Sequence, residues 1–460
     1  MRDAPGSAAR PAVMWFRRDL RLADNPALLA ACAAAGAAGV LPVFCLDPTL
    51  WRAAGPSRRD HLVRSLRALD ESLSGLGGRL VLLDGDPAGE VTRAARAVGA
   101  GSVHVAADHG PYGATRDRRV EEALAEHGIA LQRTGSSYAV APGSVLNGAG
   151  RGYQVFTPFR RAWAEHGWPP PAAEPTHRDW LRLPGARLPS VDLPEGLRLP
   201  EAGEHAARVR WAAFLDRLDD YDTARDLPAV DGTSRMSVHL KWGEIHPRTL
   251  LAGLGPRRSA GAAAYRTELA WREFYADVLW RRPETAREYY RPAFAAMEYD
   301  EPGAAFAAWA RGRTGYPIVD AGMRQLRATG WMHNRVRMVA ASFLVKDLHV
   351  EWRHGARHFM RWLVDGDLAS NQHGWQWVAG CGTDAAPYFR VLNPVTQGSR
   401  FDAAGDYVRR WVPEVAEVPT RYVHHPADDP DGPPEGYPAP VVDHAAERQE
   451  ALARLGRIKE

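Results

Sequence analysis

Four stretches of this chain carry side chains that a plain core would avoid. Glu268, Trp271, Arg272 and Tyr275 stand at i, i+3, i+4 and i+7, so a carboxylate, an indole, a guanidinium and a phenol share one helical face. Glu268 and Arg272 are also an i,i+4 pair, and a surface ion-pair stripe is the competing reading. From Asp365 to Trp377 the run DGDLASNQHGWQW packs Asp365, Asp367, Asn371, Trp375 and Trp377 into 13 residues. Asp367 and Asn371 could satisfy the N–H and C=O groups on the edge of a flat heterocycle. Trp331, Asn334 and Met338 are expected on one helical face with Arg337 on another, either as core filler or as the wall of a pocket for a flat, amide-bearing ligand. Gly232 is followed by Thr233, Ser234, Arg235, Met236 and Ser237; such a loop can wrap a phosphate, and an N-cap explains it as well. His354 and His358 have the spacing of a metal pair, but no third ligand or catalytic Glu follows, so no metal is expected.

These residues need a scaffold, and the pattern changes along the chain. The first 140 residues alternate strand-like runs (13–16, 40–46, 80–83, 103–106 and 129–133) with helical ones. Asp24 before Pro26, Ser57, and Asp86 before Pro87 read as helix starts. That alternation predicts an α/β domain, a doubly wound parallel sheet of five strands over residues 11–140. No Gly-x-Gly-x-x-Gly follows the first strand, which argues against ordinary dinucleotide binding there. Eight prolines between Trp168 and Pro200 mark a long linker, set at 141–203. Beyond it helical patterns dominate at 204–221, 260–281, 318–329, 333–349 and 352–364, which predicts an all-helical domain over 204–445.

Composition sets outer bounds. At 460 residues the chain is long enough for two or three cores. A net charge of +3 permits a nucleic-acid groove without requiring one. Three cysteines cannot build a disulfide framework here and point to a reducing, cytoplasmic setting. No charged-then-apolar leader opens the sequence, and the uncharged stretch 25–46 is broken by glycine and proline; a helix and a strand are expected rather than a membrane span.

Several runs in order resemble the photolyase/cryptochrome family: WFRRDLRL from Trp15, GYPIVDA from Gly315, the run from Trp331 to Met338, DGDLASNQHGWQW, and DAAPYFR from Asp384 to Arg390. The resemblance spans almost the whole chain and is nearest the class I enzymes acting on cyclobutane pyrimidine dimers. It implies FAD in the helical domain. Tyr221, Thr233 to Ser237, Tyr265 and Arg272 would lie along its phosphates and ribose, Asp365 would pair with Arg337, Asp367 would accept from the ring N–H, and Asn371 would face N5. It implies UV-damaged DNA as the partner, with the dimer flipped out between Trp271 and Trp377. Met338 would pack on the dimer, Asn334 and Glu268 would hydrogen-bond it, and Arg335, Arg390 and Gln397 would contact the DNA backbone. An excited reduced flavin would lend the dimer an electron and recover it after ring opening.

The resemblance also implies an electron-supply chain of Trp375, Trp352 and, where a third Trp is usual, Tyr299, with Trp309 as the other candidate end. Cys45, Arg58, Asp108 and Lys241 would hold a second, antenna chromophore, 8-hydroxy-5-deazaflavin rather than methenyltetrahydrofolate, with Lys241 meeting Asp108. A monomer is expected. The rivals are a cryptochrome-type photoreceptor, disfavoured by Asn371 and by a single helix expected after Pro440, and a (6-4) photolyase, which usually carries His where Asn334 stands.

Overall fold

The structure is a computed structural model describing residues 9–384 and 389–458. Residues 385–388 of the DAAPYFR run therefore lie outside the described residues. The predicted strands appear as β1 (Ala12–Phe16), β2 (Val40–Leu46), β3 (Val81–Asp84), β4 (Ser102–Ala107) and β5 (Ala130–Ser136). They form one parallel sheet in the order β3-β2-β1-β4-β5. The chain builds outward from β1 to β3, then returns to the other side of β1 with β4, so the direction reverses between β1 and β4. Side chains alternate across the sheet: Phe44 and Leu46 pack with Phe16 and Leu20, whereas Val43 and Cys45 face Trp15 and Leu83 on the opposite side.

Proline opens the helices of this domain at Pro26, Pro56, Pro87 and Pro111, where its missing N–H is no loss. Two expected starts shift. Asn25, not Asp24, caps the first helix by accepting from Leu28 N, and Gly55 precedes the helix expected at Ser57. Asp24 instead adopts a positive φ of 49° and binds Arg248 of the helical half at 2.6 Å. The stretch 25–46 is the expected helix and strand, and no helix among the described residues is long and apolar enough to cross a membrane.

Residues 168–200 form no helix, and their one bridge pairs Trp180 with Val40. The segment 141–203 is nevertheless not all linker. Phe156–His166 is a helix whose Phe156, Phe159 and Trp163 join the core cluster of Phe274. The helical half contains Glu204–Leu215, Ala260–Arg281, Pro317–Thr329, Asn334–Lys346, Trp352–Trp362 and Leu368–Ala379, with His444–Arg457 after Pro440. The two halves share apolar core: Val238, Trp242, Trp331 and Val364 pack with Phe16, Leu20 and Phe44. Trp331 precedes its helix and belongs to this junction, so it does not share a helical face with Asn334 and Met338. Gly243, at φ +66°, crosses directly over the Arg18 carbonyl, where any Cβ would collide. Buried Glu244 ties three segments together, accepting from Ser65 Oγ (2.5 Å) and Gly203 N (2.7 Å) and bonding His61 Nε2 (3.1 Å).

Candidate functional site

Asp365 gathers segments far apart in sequence. Its Oδ2 accepts from Ser237 Oγ at 2.6 Å and from Arg337 Nη2 at 2.9 Å, which forms the expected Arg337–Asp365 pair. Its Oδ1 is buried and has no hydrogen-bond partner among the described residues. A buried carboxylate oxygen left unpaired is destabilising by a few kcal/mol, roughly 1–3, so the site suits a ligand that brings its own donor. Nearby, Ser234 Oγ lies 2.9 Å from Tyr265 Oη, and Tyr221 packs edge-on to Tyr265 with centroids 5.2 Å apart. Arg235 takes a left-handed backbone (φ 53°) before the helix Met236–Trp242; its side chain pairs with Asp231 and covers Trp331. Met236 is core, while Thr233 is half-buried.

Asp367 caps its helix by accepting from Ser370 N and pairs with Arg18 across the domain junction at 2.8 Å. Burial alone would raise its carboxyl, but Arg18, Lys241 and Arg272 outweigh that and hold it well below the usual carboxylate range. Asn371 spends its amide N–H groups on Ala356 O (3.2 Å) and Gln372 Oε1 (2.9 Å), which leaves its carbonyl oxygen as the acceptor.

The face of helix Ala260–Arg281 is not an ion-pair stripe. Glu268 pairs with Arg225 at 2.7 Å, while Arg272 turns to Tyr138, 4.6 Å from its ring, and donates to Ser137 O. Burial raises the Glu268 carboxyl against the opposing pull of Arg225. Trp271 is half-buried and stacks on Phe156, with centroids 3.6 Å apart and planes 9° from parallel. Phe156 lies in the segment expected to be linker, and its spacing to Phe159 and Trp163 is the only sign in one dimension of the helix that presents it to Trp271.

A cavity of about 170 Å³ is lined by Arg335, Met338, Trp377, Phe389 and Arg390, among others. Trp271 lies outside its lining. Asn334 is exposed and reaches Met338 Sδ at 3.9 Å. Arg335 pairs with Asp226 at 2.9 Å and covers Phe401, and Gln397 is half-buried on the helix Pro394–Phe401.

Trp375, Trp352 and Trp309 are buried in one cluster. Trp375 lies 6.2 Å from Trp309 and 4.9 Å from Phe359. Gly355 permits this packing, because a Cβ there would collide with the Trp375 ring. Tyr299 is half-buried on the same cluster. His354 and His358 pack against Phe306.

Of the expected antenna residues, Lys241 lies within electrostatic reach of both Asp108 and Arg58. Asp108 follows β4 and Arg18 follows β1, at the crevice where strand order reverses. Asp108 pairs with Arg116 at 3.1 Å and acts on the expected partner Lys241 at longer range. Burial, with Arg18 close by, pushes the Lys241 ammonium down to about 7 against the opposing pull of Asp367 and Asp108. Arg58 donates to the carbonyls of Ala53 and Met360. Cys45 is core, because strand alternation turns it toward Trp15.

Residues 12–176 match the DNA photolyase family, and residues 265–457 match the FAD binding domain of DNA photolyase. A deoxyribodipyrimidine photo-lyase of Streptomyces griseus is 44% identical over 97% of this chain and 99% of its own length. A bacterial class III photolyase from Agrobacterium tumefaciens superposes with a TM-score of 0.91 at 37% identity, covering 99% of both chains. A Synechocystis cryptochrome follows at a TM-score of 0.88 and 27% identity, covering 96% of this chain and 99% of that one. Fold and matches together define an FAD-binding protein with an α/β domain and a helical domain. The chain belongs to the photolyase/cryptochrome family.

Proposed function

We propose that this protein repairs UV-damaged DNA in light, splitting cyclobutane pyrimidine dimers. The observation that carries the reading is near full-length identity of 44% to a protein named deoxyribodipyrimidine photo-lyase. Reduced FAD, when bound and excited by light, supplies the electron for ring opening and takes it back afterwards.

This chain's residues supply position and electrostatics. Asp365, Arg337 and Ser237 form one wall of the flavin site, and Tyr221, Thr233 to Ser237, Tyr265 and Arg272 line the rest. The anionic Asp367 would accept a ring N–H of the flavin, and the carbonyl of Asn371 would accept at N5. A flipped-out dimer leaves the duplex stack and stacks on the face of Trp271 away from Phe156, with Met338 and Trp377 opposite and Asn334 on a base edge. Glu268, with its raised carboxyl, hydrogen-bonds the dimer as it gains charge. Arg335, Arg390 and Gln397 meet the DNA backbone.

The finer class I placement belongs to this proposal and rests on the quoted motifs. So do a monomeric state, a cytoplasmic location and a deazaflavin antenna rather than a folate. Asp108 and Lys241 near the strand-order reversal support the antenna site; Arg58 lies within electrostatic reach of Lys241, whereas Cys45 faces the core.

Repair under light on oligonucleotides carrying a defined cyclobutane dimer or a (6-4) product tests the reading. Light-dependent loss of the cyclobutane dimer alone is expected, and Glu268→Ala should lower the yield per absorbed photon. No repair of either lesion by reduced, FAD-loaded protein would favour the photoreceptor reading.

A further inference from the structure

Photoreduction of an oxidised flavin needs an electron that reaches a buried site from the protein surface, and the environment of Trp352 points to where it comes from. Trp352 is fully buried, and its Nε1–H finds no acceptor among the described residues. An oxidised Trp352 therefore has no base to take its proton and keeps a mobile hole. The neighbouring ring is Tyr289, 6.1 Å away and near perpendicular. Tyr289 Oη donates to Glu351 Oε1 at 2.6 Å, and Glu351 itself is partly exposed. Arg353 forms an ion pair with the same carboxylate oxygen at 2.8 Å and sits 5.0 Å over the Tyr289 ring.

Phenol oxidation is favourable only if the phenolic proton leaves, and a guanidinium over the ring makes a cationic intermediate worse. Tyr289 has a base already in hydrogen-bond contact. Tyr299, the residue in the usual terminal position, has no carboxylate in hydrogen-bond contact: its buried hydroxyl lies against the Tyr289 phenol and makes no hydrogen bond of normal geometry among the described residues. Trp309 is fully buried, and its N–H is held by the Ala340 carbonyl at 3.0 Å, so it has no route to solvent.

We propose that Tyr289, with Glu351 as its proton acceptor, is the terminal electron donor of this chain. The inference rests on the flavin reading above. The oxidant is a light-excited oxidised flavin, which takes one electron from Trp375, and Trp375 is refilled by Trp352. One electron then moves from Tyr289 to the oxidised Trp352 while the Oη proton moves to Glu351 Oε1. The products are neutral Trp352, a neutral tyrosyl radical and a protonated Glu351, which releases its proton to water.

The test is transient absorption and freeze-trapped EPR on FAD-loaded protein after a light pulse, with flavin absorption confirming that each variant is folded and loaded. A tyrosyl signal is expected in the unaltered protein and in Tyr299→Phe, and its loss in Tyr289→Phe, where a tryptophan radical should persist instead. Glu351→Gln should slow tyrosyl formation on the order of 100-fold, the lower range for loss of a general base, and deuterated solvent should slow it in the unaltered protein only. A tyrosyl signal retained in Tyr289→Phe, or one formed at unchanged rate in Glu351→Gln, overturns the assignment. If the unaltered protein forms no radical of any kind, or if Trp375→Phe leaves the radical yield intact, the flavin and electron-chain reading has failed instead.

Discussion

The tryptophans of the helical half form two groups that differ in what lies against each ring. Trp309, Trp352 and Trp375 are buried together in one largely apolar cluster. Trp271 and Trp377 are half-buried, each with part of its surface open. Trp271 has Phe156 against one face, and Trp377 borders the cavity of Met338 and Arg335. Burial keeps water away from an oxidised indole and fixes ring-to-ring distances. An open face leaves stacking energy available to a ligand. The same residue type thus differs between the two regions in burial, which under the proposed function suits conduction in one and recognition in the other.

The contrast can be broken at either end. The largest expected effect is on the closed group: Trp309→Ala should destabilise the protein by about 3–5 kcal/mol, the range for truncating a buried aromatic, measured by denaturant unfolding. A loss below that of an exposed substitution would mean that the cluster is loosely packed.

At the open end, Trp271→Ala should weaken binding to dimer-containing DNA by about 1–3 kcal/mol, a stacking loss, and should affect unfolding less than Trp309→Ala does. Equal binding by variant and parent, in a fluorescence titration, would remove Trp271 from the substrate site.

The smallest effect concerns charges at the rim of the cavity. Arg335→Gln or Arg390→Gln should flatten the salt dependence of DNA binding by about one charge. Because Asp226 holds Arg335 at 2.9 Å and competes with a phosphate, Asp226→Asn should tighten binding. An unchanged salt slope in both arginine variants would place the DNA groove elsewhere.

Much of this protein was settled by local pattern. The five strands, the helix Ala260–Arg281 to the residue, and the close spacing of Asp365, Asp367, Asn371 and Trp375 all follow from periodicity and residue type, because strand alternation and helical repeat act over a few residues. Partner choice was decided only in three dimensions. Glu268 takes Arg225 over Arg272, which a helical wheel places nearer, because Arg272 is drawn to Tyr138 and Ser137 of another segment. The helix Phe156–His166 hid beside the proline-rich stretch, since its amphipathic face has meaning only against Phe274. Cys45, which the resemblance puts at an antenna, is core by the direction of its Cβ. Tyr289 carried no signal in one dimension: it lies 62 residues from Glu351, and only packing brings its phenol to that carboxylate and its ring to Trp352. A hydrogen bond or a ring contact depends on distances of a few ångströms between segments, which spacing along the chain does not encode.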